Sequence, residues 1–276
     1  MTGYSTLDIS GIRIVGEKRR RDSLEEKKDK RKREAARTHD GRTMLAVLTT
    51  VALVLAAVVF GSSQFTSYCV TGSGAPRAII EFCEKYPEAA DFALDWDKYH
   101  NGSGSIDISA EVHEGEIPLF IQWDKRWGYR VYGSGQFLGF TGCGPTCLSM
   151  VYSGLTGNTD MNPYNMAKFS EDGGYYVLGS GTSWSFMTEG ASELGLKSKQ
   201  LNSEKALRKA LAKGRPVIAS MGPGDFTNAG HFIVFTGLSE DGKLMVNDPN
   251  SPSNSKKTWD MDEVYPQIKN MWAFSV

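Results

Sequence analysis

Eighteen consecutive residues, Met44 to Gly61, carry no charge, and runs of that kind flanked by a basic block are rare in soluble domains. At about 1.5 Å of rise per residue the run just reaches across a thin hydrocarbon core. Residues 43–62 are therefore expected to form a single transmembrane helix. Its flanks orient it. The stretch from Lys18 to Arg42 is dense in Lys and Arg, whereas the residues just after Gly61 are uncharged, so the N-terminus is expected in the cytoplasm and the bulk of the chain outside the cell membrane. A cleaved secretory signal is the competing reading, because Val59 to Ser63 offers small residues after the apolar run. The segment before that run is, however, much longer than such a signal ordinarily carries. Both readings export the distal part of the chain.

The first 62 residues hold 13 Lys/Arg against 8 Asp/Glu, leaving 18 Lys/Arg against 24 Asp/Glu in the rest. A distal part with that negative balance is unsuited to nucleic acid. Residues 1–42 read as a basic cytoplasmic tail. Between Arg19 and Arg37 only Leu24 is large and apolar, so this stretch has no core to bury and is a solvated helix or a disordered segment. Residues 63–116 read as an extracytoplasmic linker and helical stalk. Within it, Arg77 to Tyr86 has helical spacing of apolar residues, and Pro87 opens a second short helix that runs to Trp96.

The remaining residues, 117–276, read as one domain. Helices are expected over 146–155, 161–169, 183–194 and 204–213, with Gly157, Gly195 and Gly214 as stops. Short β-rich runs at 215–221, 231–238, 243–248 and 271–276 come next, bounded by Gly, Asn or Asp-Gly. Helices first and an antiparallel sheet after them make an α+β domain.

Two of these elements begin with reactive side chains. Cys143, in Gly142-Cys-Gly-Pro-Thr-Cys147, heads a helix, where unpaired N–H groups and the helix dipole stabilise a thiolate. The flanking glycines are expected to let the backbone approach a substrate, and Pro145 sits in a first turn that needs no N–H from it. His231, in Gly230-His-Phe-Ile-Val234, starts a strand. A four-residue loop at Ser239-Glu-Asp-Gly242 would pair Leu238 with Lys243 and put His231 and Asp248 on one face, within reach of a carboxylate-to-imidazole hydrogen bond. A tight Asp241-Gly242 turn would instead carry Asp248 too far along. Gln122 has the amide that an oxyanion hole uses, although from its spacing alone it reads sooner as a surface polar residue. Cys147, one turn after Cys143, is expected in the core, since helical neighbours stand too far apart for a disulfide. Cys69 and Cys83 could pair outside the cell. A zinc site built from Cys143, Cys147 and His231 is a further alternative, but no fourth ligand stands at a characteristic spacing.

Taken together, Pro118, Gln122 and Trp127, the Gly142-Cys-Gly-Pro-Thr146 run, Gly230-His231 and Asn247-Asp-Pro249 resemble the bacterial papain-like cysteine peptidases related to the double-glycine leader peptidases that process bacteriocin precursors. The resemblance covers about residues 117–276. It implies a papain-like fold with Gln122 as oxyanion donor, Cys143 as nucleophile, His231 as general base and Asp248 as its orienter, and no cofactor or metal. The leader-processing enzymes are fused to an ATP-driven transporter on the cytoplasmic side, and this sequence holds neither a nucleotide-binding motif nor a multi-span domain. The expected activity is accordingly that of a membrane-anchored extracytoplasmic cysteine peptidase or amidase acting on a peptide or protein, with cell-wall peptide among the candidates. The alternative is a catalytically inactive papain-like binding or scaffold domain at the cell surface.

Overall fold

The computed structural model describes residues 24–32, 44, 48–49, 70–102 and 104–276. The chain divides into two compact units, Met1–Phe65 and Thr66–Val276. In the first, residues 24–32 are helical and exposed along their whole length, as a segment with only Leu24 to bury must be. The span expected over residues 43–62 lies outside the described residues except at Met44, Leu48 and Thr49, which are helical and exposed. Among the described residues, no helix is long and apolar enough to cross a membrane.

The second unit opens with helix α1 (Arg77–Lys85), followed by a one-turn 3-10 segment at Pro87–Ala89 and short helical turns at Ala90–Leu94 and Trp96–Tyr99. Ile79, Cys83, Ala89, Phe92 and Ala93 bury one face of this assembly in a cluster completed by Tyr129. The Phe92 ring stacks on Tyr129 at 4.4 Å, and the Tyr129 hydroxyl donates to the Phe92 carbonyl at 2.8 Å. Cys83 is a free thiol that donates to the Ala89 carbonyl at 3.0 Å. Burial pushes it up to about 11. Its suggested partner Cys69 lies outside the described residues.

Helix α2 (Cys143–Thr156) runs through the middle of the unit, and Gly157, in the left-handed region at φ 67°, ends it. The sequence pattern suggests one apolar face, but every residue from Gly144 to Val151 is buried, together with Ser153 and Gly154. Such a helix is enclosed on all sides. It packs against helix α3 (Pro163–Asp172), whose first turn is capped by the Asn162 side chain accepting from the N–H groups of Tyr164 and Asn165. The stretch expected as one helix over 183–194 is a 3-10 turn at Trp184–Met187 and a short helix at Glu189–Glu193. Helix α4 (Glu204–Leu211) is capped by Ser203, whose hydroxyl accepts from the Ala206 N–H.

Six strands form one sheet: β1 (Lys197–Leu201), β2 (Val217–Met221), β3 (His231–Leu238), β4 (Leu244–Asn247), β5 (Thr258–Trp259) and β6 (Ile268–Ser275). Their order is β1-β6-β2-β3-β4-β5, and every neighbouring pair is antiparallel. Ile218, Phe232, Val234, Trp272 and Phe274 face the core shared with α2, while Val217, Ala219, Ile233 and Phe235 pack on the opposite side with Leu207 and Leu211 of α4. Burial of this kind contributes about 1.5–3 kcal/mol for each large side chain. The architecture is α+β, with helices covering both faces of an antiparallel sheet.

The turn between β3 and β4 differs from the four-residue loop expected. Leu238 pairs with Leu244, not Lys243, because the chain turns through Ser239–Gly242 and leaves through Gly242 in the left-handed region at φ 78°. The register then shifts between Phe235 and Gly237, so that Thr236 is extra and Val234 pairs with Asn247. This bulge moves the strand by one residue and restores the face relation needed to bring His231 and Asp248 together.

Candidate active site

Cys143 is the first residue of α2 and half buried, on the wall of a cleft of about 740 Å³. His231, the first residue of β3, lines the same cleft and is 8% exposed. Its Nε2 lies 2.7 Å from Asp248 Oδ1, which leaves Nδ1 for the sulfur. Asp248 is 1% exposed. Oδ1 also accepts from the Asn250 N–H at 2.9 Å, and Oδ2 accepts from Asn254 Nδ2 at 2.9 Å. A buried carboxylate with all these donors holds its imidazole partner in one orientation.

The electrostatics follow from this packing. Burial by itself would raise the Cys143 thiol, but the His231 hydrogen bond and charge, with the N–H groups of Phe232 and Gly144, outweigh it and hold its pKa below the ordinary value. For His231, burial works against the imidazolium, yet the Asp248 charge and hydrogen bond, joined by the Cys143 sulfur, raise its pKa. Both shifts favour the thiolate–imidazolium pair. Cys147 lies one turn deeper with no exposure, and burial pushes its thiol well above the ordinary range, helped by the charges of Cys143 and Asp248. It packs in the core beside Leu148. Among the described residues no group of three His, Cys, Asp or Glu is arranged to hold a metal ion.

Gln122 adjoins the segments that carry Cys143 and Asp248 but is not among the residues lining the cleft. It is 3% exposed, its Nε2 donates to the Gly139 carbonyl at 2.8 Å, and its Oε1 has no partner among the described residues. Its main-chain N–H donates to the Pro249 carbonyl at 2.7 Å, and Asn247 Nδ2 donates to the carbonyls of Ile117 and Pro118 at 3.1 and 3.0 Å. Asn247-Asp248-Pro249 therefore ties the Gln122 segment to the site, while the Gln122 amide lies against the helical turn Leu138–Thr141 before Cys143 and does not line the cleft.

The glycines beside Cys143 have a different role from the one their spacing suggests. A Cβ on Gly144 would come 2.5 Å from Thr182 Oγ1, and one on Gly142 2.6 Å from the Leu138 carbonyl oxygen. Both make room for protein. Thr182 belongs to a small hairpin, Tyr176–Val177 against Gly181–Thr182, which Tyr132 anchors through its hydroxyl to Thr182 Oγ1 at 2.9 Å and Ser170 Oγ at 3.0 Å. The hairpin tip and Trp184 form a cleft wall that the sequence motifs do not reveal. Leu178 is 76% exposed and Trp184 48%, with the Trp184 indole donating to Ser220 Oγ at 3.2 Å. An exposed tryptophan just after a glycine-rich turn is the only signal that could have found it. Asn254 carries no signal at all, since an asparagine six residues past Asp248 resembles any loop residue.

The cleft lining contains no Lys, Arg, Asp or Glu, so Cys143 and His231 supply its only ionisable pair apart from the Tyr176 phenol. A thiol at a helix N-terminus, facing a histidine on an antiparallel sheet with a buried aspartate behind it, is the layout of a papain-like cysteine-peptidase domain. Residues 114–273, more than half of the chain, match the model of the Peptidase_C39 like family. The chain belongs to that family. Among solved structures it is similar to the peptidase domain of Streptococcus ComA, a bi-functional ABC transporter involved in a quorum sensing pathway, at 20% identity over 49% of this chain and 92% of that one, with a TM-score of 0.40. It is also similar to a C39-like peptidase from Bacillus anthracis, at 13% identity over 60% of this chain and 97% of that one, with a TM-score of 0.39. No curated protein matches it.

Proposed function

We propose that this chain is a cysteine peptidase or amidase in which Cys143 is the nucleophile, His231 the general acid and base, and Asp248 the orienter of His231. The observation that carries this is the sealed His231–Asp248 pair beside a half-buried thiol at the wall of an uncharged cleft. The Cys143 thiolate attacks the carbonyl carbon of a peptide or amide. The resulting oxyanion collapses as the His231 imidazolium gives its proton to the departing amine, the C–N bond breaks and a thioester remains. Water then attacks that thioester, His231 takes its proton, and the carboxylic acid leaves as the thiolate is restored. One Gln122 Nε2–H is taken by the Gly139 carbonyl, and the second is the one that would donate to the oxyanion.

The peptide or protein substrate is proposed to lie outside the cell, with residues 43–62 as the membrane anchor and the N-terminus cytoplasmic. The uncharged run from Met44 to Gly61 and the basic block before it support this. Membrane fractionation, with external protease acting on a C-terminally tagged protein, tests it. An intact tag in closed cells would place the domain inside.

One observation favours the second reading, a binding domain without turnover: Gln122, the oxyanion donor that the peptidase reading needs, is not among the residues that line the cleft. Reaction of the full chain with iodoacetamide separates the two. The peptidase reading expects fast alkylation of Cys143 that slows in His231→Ala, followed by cleavage of members of a peptide library that Cys143→Ala does not cleave. Alkylation no faster than that of a free thiol, and indifferent to His231→Ala, would sink it.

A further inference from the structure

Glu88 lies in the 3-10 turn Pro87–Ala89, ahead of the residues that match the family model. Both of its carboxylate oxygens reach across to the loop after Asp248. Oε1 accepts from the Ser251 hydroxyl at 2.9 Å and Oε2 from the Ser253 N–H at 2.8 Å. Those two donors bracket the first turn of the short helix Pro252–Ser255. The same turn carries Asn254, whose Nδ2 donates to Asp248 Oδ2, and Ser255, whose hydroxyl accepts from the Asp248 N–H at 2.9 Å. The Ser251 hydroxyl that donates to Glu88 also accepts from the Asn254 N–H at 3.1 Å. A carboxylate at the start of a helical turn satisfies N–H groups that the turn leaves open and fixes how the turn is set.

The Glu88 side chain is exposed, but its backbone is fixed from both sides. Pro87 restricts the backbone before it, and Ala89 after it is fully buried, with its carbonyl accepting from Cys83. The same N-terminal assembly also reaches the other half of the site. Phe82 packs on Phe140 at 4.9 Å, Phe140 lines the cleft three residues before Cys143, and a Cβ on Gly139 would come 2.9 Å from the Phe92 ring. The segment over residues 77–99 thus braces the helical turn Leu138–Thr141 that leads into the nucleophile and the loop that carries the aspartate.

We propose that Glu88 is a positioning residue for the catalytic pair: by clamping the Ser251–Ser255 turn it holds Asn254 on Asp248, and through Asp248 sets the orientation of His231 toward Cys143. This rests on the proposed roles of those three residues. The groups facing His231 are the Asp248 carboxylate and the Cys143 sulfur, with the Cys147 thiol below them. Glu88 acts on this set only through the turn, whose links to Asp248 are the Asn254 amide on the carboxylate and the Ser255 hydroxyl on the main chain.

The test uses the full chain with Glu88→Ala, Glu88→Gln, Asn254→Ala and the double variant Glu88→Ala/Asn254→Ala. Two readouts are taken: the pH profile of Cys143 alkylation and the downfield proton resonance of His231 Nε2–H in a Cys143→Ala background. Glu88→Ala is expected to slow alkylation near pH 6 by about threefold to tenfold, to move its midpoint upward and to shift the His231 resonance, with little change in melting temperature, as suits coupled neighbours. Glu88→Gln, which keeps an acceptor oxygen, recovers part of the loss. The double variant loses less than the sum of the two single losses. An unchanged profile and resonance in Glu88→Ala, or losses that simply add in the double variant, would overturn the proposal. If the wild-type thiol reacts no faster than a free cysteine while the His231 resonance still moves in Glu88→Ala, the peptidase reading fails and the positioning of His231 by Glu88 stands.

Discussion

His231 Nε2 and Asp248 Oδ1 are 2.7 Å apart, and both side chains are all but closed off from solvent. The pair is supported by two further donors to the carboxylate: the Asn250 N–H and the Asn254 amide hold Asp248 while the imidazole reaches over it to Cys143. Its strength therefore depends on several segments at once, and changing one partner has consequences that can be measured.

The pH dependence of the thiol comes from the opposite shifts of the two groups. Cys143 titrates below its ordinary value because His231 outweighs burial. The alkylation rate is thus expected to rise with pH through a midpoint below about 8.5, the value for a free cysteine. In His231→Ala only burial and the amides remain, and the midpoint moves upward. Stopped-flow alkylation across pH 5 to 10 (about that range covers both groups) measures both profiles.

Stability has its own pH signature. The folded pKa of His231 lies above the unfolded value of about 6.5, so its contribution is complete below that pH and is lost as pH rises through the folded value. Cys143 has the reverse sign: its contribution is present above about 8.5 and is lost as pH falls through its depressed folded value. Urea midpoints of wild type and His231→Ala should therefore differ in their pH dependence, and parallel curves would contradict the shifts.

Asp248→Asn keeps the volume but puts an amide where Oδ1 and Oδ2 accept three bonds. Its NH₂ group must face a donor, at a cost of about 1–3 kcal/mol in stability. Turnover is expected to fall by about 10²- to 10⁴-fold through misorientation of His231. Single-turnover cleavage and urea denaturation read the two effects separately.

Gly144→Ala is expected to cost about 1–3 kcal/mol, since its methyl group would meet Thr182 Oγ1 at 2.5 Å and its Cβ at 2.6 Å. Removing the branch in Thr182→Ala should restore part of that loss, because Oγ1 and Cγ2 then no longer crowd the helix. A double-mutant cycle by thermal unfolding measures the coupling, and strict additivity would show that the contact is not the source.

Phe92→Ala should destabilise the whole second unit by about 3–5 kcal/mol. The ring is 1% exposed, stacks on Tyr129 and fills the space left open by Gly128 and Gly139. A single cooperative urea transition that shifts as one would show that residues 77–99 belong to the same folding unit as the sheet; a separate early transition would show the contrary.

Much of the local structure is legible without the fold. Helix α4 declares itself by Ser203 at its cap and by Leu207, Ala210 and Leu211 on one face, and α2 stops at Gly157 because only glycine takes φ 67° readily. Strand β1 stays hidden. Its Lys-Ser-Lys-Gln-Leu sequence has no apolar alternation, because it pairs with β6 alone and turns charge toward the open edge of the sheet. The unbroken helix expected over 183–194 fails at Thr188, where the chain changes course between a 3-10 turn and a short helix, a bend set by packing of Phe186 and Met187 in the core.

By itself, the sequence determined that a thiol would stand at the head of a helix and a histidine at the start of a strand. Caps, glycine stops and apolar spacing act over a few residues and need no distant partner. Only the tertiary structure decided that the two would meet with Asp248 behind them. That depends on the extra residue at Thr236, which shifts β3 by one position, and on a loop held by Asn254 and, from far along the chain, by Glu88. Gln122 and Gly144 make the same point. The family resemblance implies an oxyanion donor at Gln122 and the spacing of Gly144 suggests room for a substrate, whereas the Gln122 amide bond to the Gly139 carbonyl and the space the glycine makes for Thr182 join segments that only folding brings together.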